Sequence, residues 1–415
     1  MKDMDKNHFE SLNKCSRCGG CQAHCPIFYE TGREPFVARG KIELLENLQS
    51  GKLTWNDKLA DIFSMCLLCG ACAENCPNGV PADKLVMMAR KDLVANNGLP
   101  IIKKNVFQHL LRYNGRLNLA GKILYLYQKT GLQKLLRISR VLNLMPNDLA
   151  KIERLLPEVA SGSFRKIVPF RSTVDNPRLK VAYFTGCVTN LINHNVGYSI
   201  LKILKACGVE VIIPKQGCCG VPAFASGDFT TGKFLGEQNI KEFAREDVDY
   251  IIFDCASCLS TWLDYPELLE SEEALKFSDK LMDVNRFLVE ILDIKIECPE
   301  IGKKVTYHDP CHLKRTENGK KAPRELLSRL SPAYEYVEMG LADRCCGSAG
   351  SFNISHYRLS QKVANRKVKS IKESGAEIVT SACPSCMMQL SHALKNEKSD
   401  VVVNHLVELV AGCLQ

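Results

Sequence analysis

Two stretches of the sequence place four cysteines each at one fixed spacing, and this spacing limits the fold of the N-terminal region. The stretches are CSRCGGCQAHCP and CLLCGACAENCP, and both follow the pattern C-x2-C-x2-C-x3-C-P. Cysteines at i, i+3 and i+6 can hold three corners of one [4Fe-4S] cubane, while the fourth completes the neighbouring cluster. Zinc modules pair two C-x2-C knuckles and need no third cysteine at the next interval, so zinc explains the pattern less well. The predicted ligand sets are Cys15, Cys18, Cys21 and Cys76 for one cluster, and Cys66, Cys69, Cys72 and Cys25 for the other.

The 415-residue chain contains 21 cysteines in all, which is more than an intracellular protein keeps without a chemical use. Disulfides and metal ligation are the two explanations. Residues 1–14 carry charges but no apolar stretch of the kind found in a signal peptide, so nothing indicates an oxidising compartment. No run of about 18 apolar residues indicates a membrane span. We therefore expect a cytoplasmic protein with reduced, thiolate-ligating cysteines.

The second half of the chain contains an internal repeat. From Arg178 onward, β-rich runs alternate with helical patterns, which predicts parallel α/β sheets with strands at 180–184, 209–213, 250–253, 304–307, 334–337 and 376–380. Each half carries a single cysteine, a Cys-Cys-Gly and a C-x2-C, each just after a predicted strand, which indicates a duplication. Ligands at the carboxyl ends of parallel strands converge on one edge of the sheet. The two expected sites are Cys187, Cys218, Cys219, Cys255 and Cys258, and Cys311, Cys345, Cys346, Cys383 and Cys386.

Each of these sets has one cysteine more than a cubane or a zinc ion needs. Adjacent cysteines suit a larger, irregular iron-sulfur core in which neighbouring thiolates bind different irons. A zinc site, or a redox dithiol that cycles through a disulfide, stays open as an alternative. Cys207, Cys298 and Cys413 fall outside every set and are expected to be structural or incidental.

Two histidines, His308 and His312, flank Cys311 in the sequence YHDPCHLKR. They could donate hydrogen bonds or carry protons beside a cluster, or they could be turn histidines that bond to the backbone. No residue is assigned a catalytic role.

The overall prediction is an α+β chain of several parts. Residues 1–98 form an α-helical, ferredoxin-like two-cluster domain, and residues 99–177 form a basic helical linker. A duplicated α/β cysteine-rich domain follows, with repeats at 178–297 and 298–415.

The linker accounts for the net charge of +9, because no acidic residue lies between Asp92 and Asp148. Its basic residues are Lys103, Lys104, Arg112, Arg116, Lys122, Lys129, Lys134, Arg137 and Arg140. Leucines and isoleucines are interleaved with these charges, so an amphipathic helix in 103–140 could lie on the anionic cytoplasmic face of a membrane. It could equally contact an acidic partner, or pack on its own protein with a solvated basic face. Nucleic acid is not expected, since no recognition motif or pattern of stacking aromatics accompanies the charge.

Nucleotide-binding motifs are missing from the sequence. Neither G-x-G-x-x-G after a strand nor G-x-x-x-x-G-K-[ST] occurs, so no flavin, nicotinamide or ATP site is expected on this chain. A chain of this kind can pass electrons but has no evident means of taking hydride from an organic substrate.

The motifs together resemble those of a known family. The two N-terminal runs, with ARGKIELL between them and YFTGC, GCCG, YHDPCH and CCGSAGSFN after them, are similar to the iron-sulfur subunit of glycolate oxidase and its relatives in lactate oxidation. The C-terminal halves also resemble the cysteine-rich subunit of heterodisulfide reductase, whose five-cysteine sets bind noncubane clusters. The resemblance implies one or two noncubane [4Fe-4S] clusters in addition to the two cubanes.

The resemblance also implies a function and its alternatives. A separate FAD-containing subunit would oxidise a 2-hydroxy acid such as glycolate or lactate, and electrons would pass through this chain to quinone or another carrier. Glycolate-type subunits often lack one cysteine of the last pair, whereas Cys383 and Cys386 are both present here. Reduction of a disulfide at a noncubane cluster is therefore the main alternative. Weaker alternatives are the iron-sulfur subunit of a glycerol-3-phosphate dehydrogenase and a zinc-stabilised scaffold.

Overall fold

The computed structural model of the chain describes residues 10–139, 141, 149–299 and 302–414. Up to residue 98 the described part is helical, with no strand. Its longer helices are Ala38–Gln49, Asp57–Ser64 and Ala82–Asn97, and its short helices are Gly20–His24, Pro26–Thr31 and Ala71–Glu74.

The two cysteine runs fold alike in their first half. In each, a glycine after the second cysteine takes the left-handed conformation and precedes a short helix that carries the third cysteine; φ is 85° at Gly19 and 68° at Gly70. Glycine adopts this conformation without the steric cost that a Cβ atom would add. The third cysteine therefore turns back toward the first two.

The linker is helical over most of its described length. Its helices are Ile101–Lys104, a π-helical turn at Asn105–Leu111, Asn114–Lys129, Leu132–Ser139, Leu149–Glu153 and Phe164–Ile167. Within the described ranges, no helix is long and apolar enough to cross a bilayer. The linker also contributes a short strand, β1 (Arg171–Ser172), to the sheet that follows.

The first repeat contains a five-stranded sheet. Its further strands are β2 (Leu179–Phe184), β3 (Val209–Ile212), β4 (Tyr250–Phe253) and β5 (Leu281–Asp283). The strand order is β1-β3-β2-β4-β5, and every pair is parallel except β1 with β3. The main helices around it are His194–Ala206, Phe229–Phe243 and Ala256–Leu263, with shorter ones at Gly186–Leu191, Val221–Ala225, Tyr265–Leu269, Glu272–Leu275 and Val284–Arg286.

The second repeat forms a four-stranded, fully parallel sheet. Its strands are β6 (Lys303–Tyr307), β7 (Tyr334–Tyr336), β8 (Ile378–Ser381) and β9 (Val402–His405), in the order β7-β6-β8-β9. Its helices are Lys321–Ser328, Phe352–Ser355, Tyr357–Glu373, Pro384–Asn396 and Leu406–Cys413. Because β3-β2-β4-β5 of the first repeat has the same order, the topology agrees with a duplication.

The predicted α+β fold class is confirmed, with a helical dicluster region, a linker and two cysteine-rich domains with sheets. Six strands match their predicted positions within two residues at either end. Strands β1, β5 and β9 were not predicted from the sequence. β1 and β5 have only two and three residues, and β9 runs directly into helix Leu406–Cys413, so its valines continue into the apolar pattern of that helix.

The repeats share their apolar cores. One core combines Phe253 and Trp262 of the first repeat with Val379 and Leu390 of the second. Another combines strand residues of the first sheet with the last helix, Leu406–Cys413. The core of the N-terminal region includes Phe352 and Val363 of the second repeat as well. Each part of the chain therefore depends on its neighbours for burial.

One expectation about the cysteines is wrong. Cys298 and Cys413 form a disulfide bond, which joins the start of the second repeat to its last helix. Neither residue belongs to a cluster set, so the reduced state expected for all cysteines does not hold for this pair. Cys207 caps the C-terminus of helix His194–Ala206 and has a free thiol, in line with a structural role.

Candidate iron-sulfur centres

The cysteines of the two N-terminal runs surround two adjacent cavities. The first cavity is bordered by the four predicted ligands of one cubane, Cys15, Cys18, Cys21 and Cys76. Burial raises the pKa of the Cys21 thiol, whereas Cys18 is exposed, so this cavity lies at the molecular surface. Cys72 also borders it, which places the second cavity directly beside the first.

The second cavity is bordered by the other predicted set, Cys25, Cys66, Cys69 and Cys72. Burial raises the pKa of the Cys25 thiol to about 11. Lys41, from helix Ala38–Gln49, borders this cavity, is 2% exposed and donates to the Phe36 carbonyl. Arg90 donates to the carbonyl oxygens of Cys66 at 2.7 Å and Phe63 at 2.9 Å. A buried lysine and a partly buried arginine thus lie beside a site that would carry several thiolates.

The first cysteine-rich set gathers at the carboxyl edge of the first sheet. Cys187 follows β2, Cys218 and Cys219 follow β3, and Cys255 and Cys258 follow β4. Thiol hydrogen bonds connect Cys187 to Cys218, Cys218 to Cys219, Cys219 to Cys258, and Cys258 to Cys255. The bond from Cys218, with one from Cys258, holds the pKa of Cys219 well below its ordinary value. All five predicted cysteines are therefore brought together.

The second set repeats this arrangement on the second sheet. Cys311 follows β6, Cys345 and Cys346 follow β7, and Cys383 and Cys386 follow β8. Hydrogen bonds connect Cys311 to Cys345, Cys345 to Cys346, Cys346 to Cys386, and Cys386 to Cys383. The Sγ atoms of Cys346 and Cys386 are 3.3 Å apart. The predicted convergence at the sheet edge is present in both repeats.

His308 points into the second site. Its side chain is fully buried, and among the described residues neither ring nitrogen bonds to a nitrogen or oxygen atom; the ring interacts with the Cys346 thiol instead. A ring nitrogen and the Sγ atoms of Cys346 and Cys386 all lie within 4.8 Å of one another, a spacing that allows all three to hold one metal ion. An imidazole nitrogen that faces thiols alone fits a bound group at this site.

The first repeat has Phe184 where the second has His308, as the matching sequences YFTGC and YHDPC show. The Phe184 ring packs against Trp262 at 5.3 Å and Phe253 at 5.4 Å between ring centroids. In the first site a polar side chain bonds to the backbone instead: Tyr265 Oη donates to the Cys219 carbonyl at 2.7 Å. The two cysteine sets therefore have different chemical surroundings.

His312 lies where three parts of the molecule meet. Its Nδ1 atom is 3.0 Å from Ser257 Oγ, which is 3.7 Å from Cys383 Sγ. Burial lowers the pKa of its imidazole, and the backbone of Leu68 lies against it. His312 thus bridges the first repeat, the second repeat and the N-terminal region, rather than closing a local turn.

The sites lie next to one another in a single row. A hydrogen bond with Cys345 lowers the pKa of Cys69 to about 7, so the second cubane set adjoins the second cysteine-rich set. Cys383 is in turn hydrogen-bonded to Cys255 of the first cysteine-rich set. The order is cubane set Cys15 to Cys76, cubane set Cys25 to Cys72, the second cysteine-rich set, and then the first.

The donor chemistry of these sites fits iron-sulfur groups. Soft thiolates in numbers beyond the four of a zinc ion, held in largely buried sites, are what iron-sulfur groups require. A buried cation also stands beside each cysteine-rich set. Arg165 is near Cys187, and burial lowers the pKa of its guanidinium to about 10; Lys367 is near Cys346, and burial lowers its pKa to about 8. No sequence motif indicates these cations, because each comes from an element outside the cysteine motifs.

Comparisons with known protein families agree with this arrangement. Residues 11–80 match a 4Fe-4S dicluster domain, and residues 98–156 match the linker region of the glycolate oxidase iron-sulfur subunit. Residues 181–262 and 305–391 each match a cysteine-rich domain. The four matched segments follow the predicted order of domains.

Three relatives among known proteins span much or all of the chain. A probable glycolate oxidase iron-sulfur subunit of Bacillus subtilis is 34% identical, over 97% of this chain and 93% of its own length. A component of the dihydromethanophenazine:CoB--CoM heterodisulfide reductase of Methanosarcina barkeri is 27% identical, over 100% of this chain and 96% of its own length. Lactate utilization protein A of Bacillus subtilis is 29% identical, over 56% of this chain and 99% of its own length. The first two names are those of oxidoreductase components, and the third refers to the use of lactate.

Proposed function

Because the chain belongs to the glycolate oxidase iron-sulfur subunit family, we propose that it carries electrons from a flavoprotein that oxidises a 2-hydroxy acid. Its relatives include iron-sulfur subunits of oxidoreductases, and the chain is an iron-sulfur subunit of this kind. The proposed partner is a separate FAD subunit, the proposed substrate is glycolate or lactate, and the proposed acceptor is quinone or another carrier. The proposed place of action is the cytoplasm or the cytoplasmic face of the membrane.

The observation that carries this proposal is the continuous row of cysteine sites. Oxidation of a 2-hydroxy acid to a 2-oxo acid releases two electrons and two protons, and a flavin can release the electrons one at a time. A row of sites in contact through Cys69 and Cys345, and through Cys255 and Cys383, suits the stepwise passage of such electrons. The cubane set at Cys18 reaches the surface, where a partner or an acceptor can approach.

We propose that the eight N-terminal cysteines hold two cubanes and that each cysteine-rich set holds one noncubane cluster. In the bound state the cysteines supply thiolate ligands, and the clusters supply the electron-accepting chemistry. The protein's own residues space the clusters, exclude water, and place Lys41, Arg165 and Lys367 where they offset negative charge.

Purification of the native complex under anaerobic conditions tests the proposal. We expect at least about eight irons per chain from the cubanes alone, a flavoprotein in the complex, and bleaching of the clusters when glycolate or lactate is added. Cys76→Ser should alter the signal of one cubane and Cys25→Ser that of the other. Fewer irons, or turnover without a flavoprotein, would contradict it.

Disulfide reduction at a cysteine-rich set is a second candidate. It is favoured by the presence of both cysteines of the last pair in each repeat, all of them buried, and by the heterodisulfide reductase relative. Once chemically reduced, a chain with this activity should convert a disulfide into two thiols, using two electrons and two protons per turnover, without any flavoprotein. Anaerobic turnover of a small disulfide by the isolated chain separates the two candidates.

A further inference from the structure

The linker presents apolar side chains to solvent on the side that faces away from the protein. In helix Asn114–Lys129, Leu117 is buried, and Gly121 lies against Leu191, so this face packs on the first repeat. Gln128 also bonds inward, to the carbonyl of Pro157 at 2.7 Å. At 100° per residue, the opposite face of the helix carries Leu119, Ile123 and Leu126.

These three residues form an exposed stripe that nothing in the described chain covers. They are between 57% and 60% exposed, although a stripe at i, i+4 and i+7 is the pattern of a buried helix face. Arg116 lies on one side of the stripe, and Lys122 and Lys129 lie on the other. The outward side is therefore an apolar stripe between two basic edges.

The next helix, Leu132–Ser139, likewise has a polar side that faces inward and an apolar side that faces solvent. Its inward side bonds to Glu153, which accepts from Gln133 Nε2 at 2.8 Å and from Arg137 Nε at 2.8 Å. Tyr127 of the preceding helix donates to the same carboxylate at 3.2 Å, so both helices turn their inward sides to Glu153. Leu135 and Ile138, on the other side of the helix, are 63% and 68% exposed.

We propose that this outward side of the linker, formed by Leu119, Ile123, Leu126, Leu135 and Ile138 with their basic neighbours, binds the surface of an anionic lipid bilayer. Aliphatic side chains between lysines and arginines are typical of helices that lie in a membrane interface. Protein interfaces, in contrast, are depleted in lysine, and their central contacts favour aromatic residues over leucine. The absence of any acidic residue between Asp92 and Asp148 removes repulsion from anionic headgroups.

Aromatic rings hold two of the basic residues that border the stripe. The Arg116 guanidinium lies 4.5 Å from the centre of the Tyr113 ring, and Lys129 Nζ lies 5.9 Å from that of Tyr125. This inference does not depend on the substrate or the redox partner proposed above.

Co-sedimentation of the full, iron-loaded chain with lipid vesicles tests the inference. We expect binding to vesicles of phosphatidylcholine mixed with phosphatidylglycerol, weak binding to phosphatidylcholine alone, and loss of binding in high salt. The variant Lys122→Glu with Lys129→Glu should lower the partition coefficient by at least about 30-fold, since each charge near an anionic surface contributes roughly a factor of five to ten. Leu119→Ser with Ile123→Ser and Leu126→Ser should lower it by at least about 100-fold.

A matched control separates the effect of this surface from the effect of net charge. Lys362→Glu with Lys369→Glu makes the same change in net charge on helix Tyr357–Glu373, where no large apolar side chain of the described residues is exposed. This variant should bind vesicles within about threefold of the unchanged chain. Iron content and far-ultraviolet circular dichroism report folding in every variant, so lost binding is not mistaken for lost structure.

Several outcomes would overturn the inference. Equal binding by the linker variants and the control would show that net charge, and not this surface, attracts the chain to vesicles. Absence of binding to either vesicle type would exclude a lipid surface. Loss of a co-purifying protein from the linker variants, with vesicle binding unchanged, would assign the surface to a protein partner instead.

Discussion

His308 of the second repeat and Phe184 of the first occupy equivalent positions, so the two repeats differ there by one side chain. The His308 ring is fully buried beside Cys346 and Cys386, whereas Phe184 belongs to an aromatic cluster with Trp262. A nitrogen donor at a cluster can bind iron or donate to a sulfur atom, and either changes the energy of the reduced state. The two cysteine-rich sites should therefore differ in their redox behaviour.

The first prediction concerns His308→Phe, which gives the second repeat the residue of the first. We expect the second cysteine-rich set to lose about 10- to 100-fold in metal retention, or to change its electron paramagnetic resonance signal, because a donor to the group is removed. The measurement is iron content with low-temperature spectroscopy and a redox titration. Signals of the two cubanes, which lie outside the substituted repeat, serve as the internal reference.

Phe184→His is the matched variant in the other repeat. It should leave the second set unchanged and add a nitrogen coupling to the first set only if that set holds a similar group. If His308→Phe alters neither iron retention, spectrum nor potential, His308 is a core histidine with no role at the site.

At this scale the sequence predicted which cysteines lie close together, but not the residues that surround them. Cysteine spacing is a local pattern, so Cys66, Cys69 and Cys72 could be grouped without any structure. Arg90 and Lys367 could not be found, because each reaches its site from a separate helix. The partner of Cys298 was missed for the same reason, since Cys413 is distant in sequence and neither lies in a motif.

Among the elements of the fold, helix Ala82–Asn97 and the first repeat form a tight junction. A Cβ atom at Gly227 would lie 2.2 Å from the Arg90 carbonyl oxygen, and φ there is +88°. Arg90 also donates to the Ala225 carbonyl at 2.6 Å, so the helix and the loop are fixed to each other on both sides. The atoms that an added Cβ would meet belong to the backbone of Arg90 and Lys91, so no side chain can move aside to make room.

The second prediction is that Gly227→Ala weakens this junction. We expect a loss of roughly 3 kcal/mol or more in unfolding free energy, from left-handed strain together with the overlap. Gly208→Ala is the control, because φ is +68° there and nothing lies within 4 Å of the added atom, so strain of about 1–2 kcal/mol acts alone. Thermal unfolding and limited proteolysis after residue 98 report the difference, and equal effects in both variants would contradict a tight junction.

The third prediction concerns the carboxylate at the end of β5. Asp283 is buried, its Oδ1 atom accepts from the Asn285 backbone at 2.9 Å, and burial raises its pKa to about 6. Below about pH 3 the group is neutral in both the folded and the unfolded chain. Between about pH 4 and pH 6 the unfolded chain ionises while the folded chain stays protonated, so the folded state loses up to about 3 kcal/mol relative to its stability at low pH.

Asp283→Asn removes this titration while keeping an oxygen that can cap the following helix. The variant should gain stability relative to the unchanged chain as pH rises from 4 to 7, and the gain should level off above pH 7. Thermal unfolding midpoints of both proteins at four pH values measure the effect. A difference that is constant with pH would show that Asp283 is ionised in the folded state as readily as in the unfolded one.

Most strands of the repeats were predicted accurately, and three strands were missed. Strand β4 consists of apolar residues in a row and matches its prediction at both ends. Strand β9 has the sequence VVNH, borders only β8 and is followed at once by helix Leu406–Cys413, so the local pattern does not separate the strand from the helix. Tertiary pairing of this kind leaves little trace in a local pattern.

For the molecule as a whole, the order of the sites is the property that matters most to electron transfer. The two repeats share their cores, and the N-terminal region packs on the second repeat through Phe352 and Val363. Only the second cysteine-rich set lies in contact with both the N-terminal sites and the first repeat, through Cys345 and Cys383 among the described residues. The sequence indicated how the cysteines group but not the order of the groups, because nothing in a duplicated pattern says which copy contacts the N-terminal region.

The fourth prediction follows from this order. Cys346→Ser with Cys386→Ser should remove the group at the second cysteine-rich set while leaving the cubane cysteines and the first set in place. Electrons should then enter from one end of the row and stop, because the gap exceeds the contact distances between neighbouring sites. After mixing with a chemical reductant or the reduced partner, rapid-freeze spectroscopy should show some sites reduced at the normal rate and the sites beyond the gap reduced much more slowly.

Cys219→Ser with Cys258→Ser is the matched variant at the end of the row, and it should leave transfer between the remaining three sites unchanged. Equal rates in both variants would mean that electrons do not pass through the second set, and that the contacts of Cys69 with Cys345 and of Cys255 with Cys383 serve packing alone.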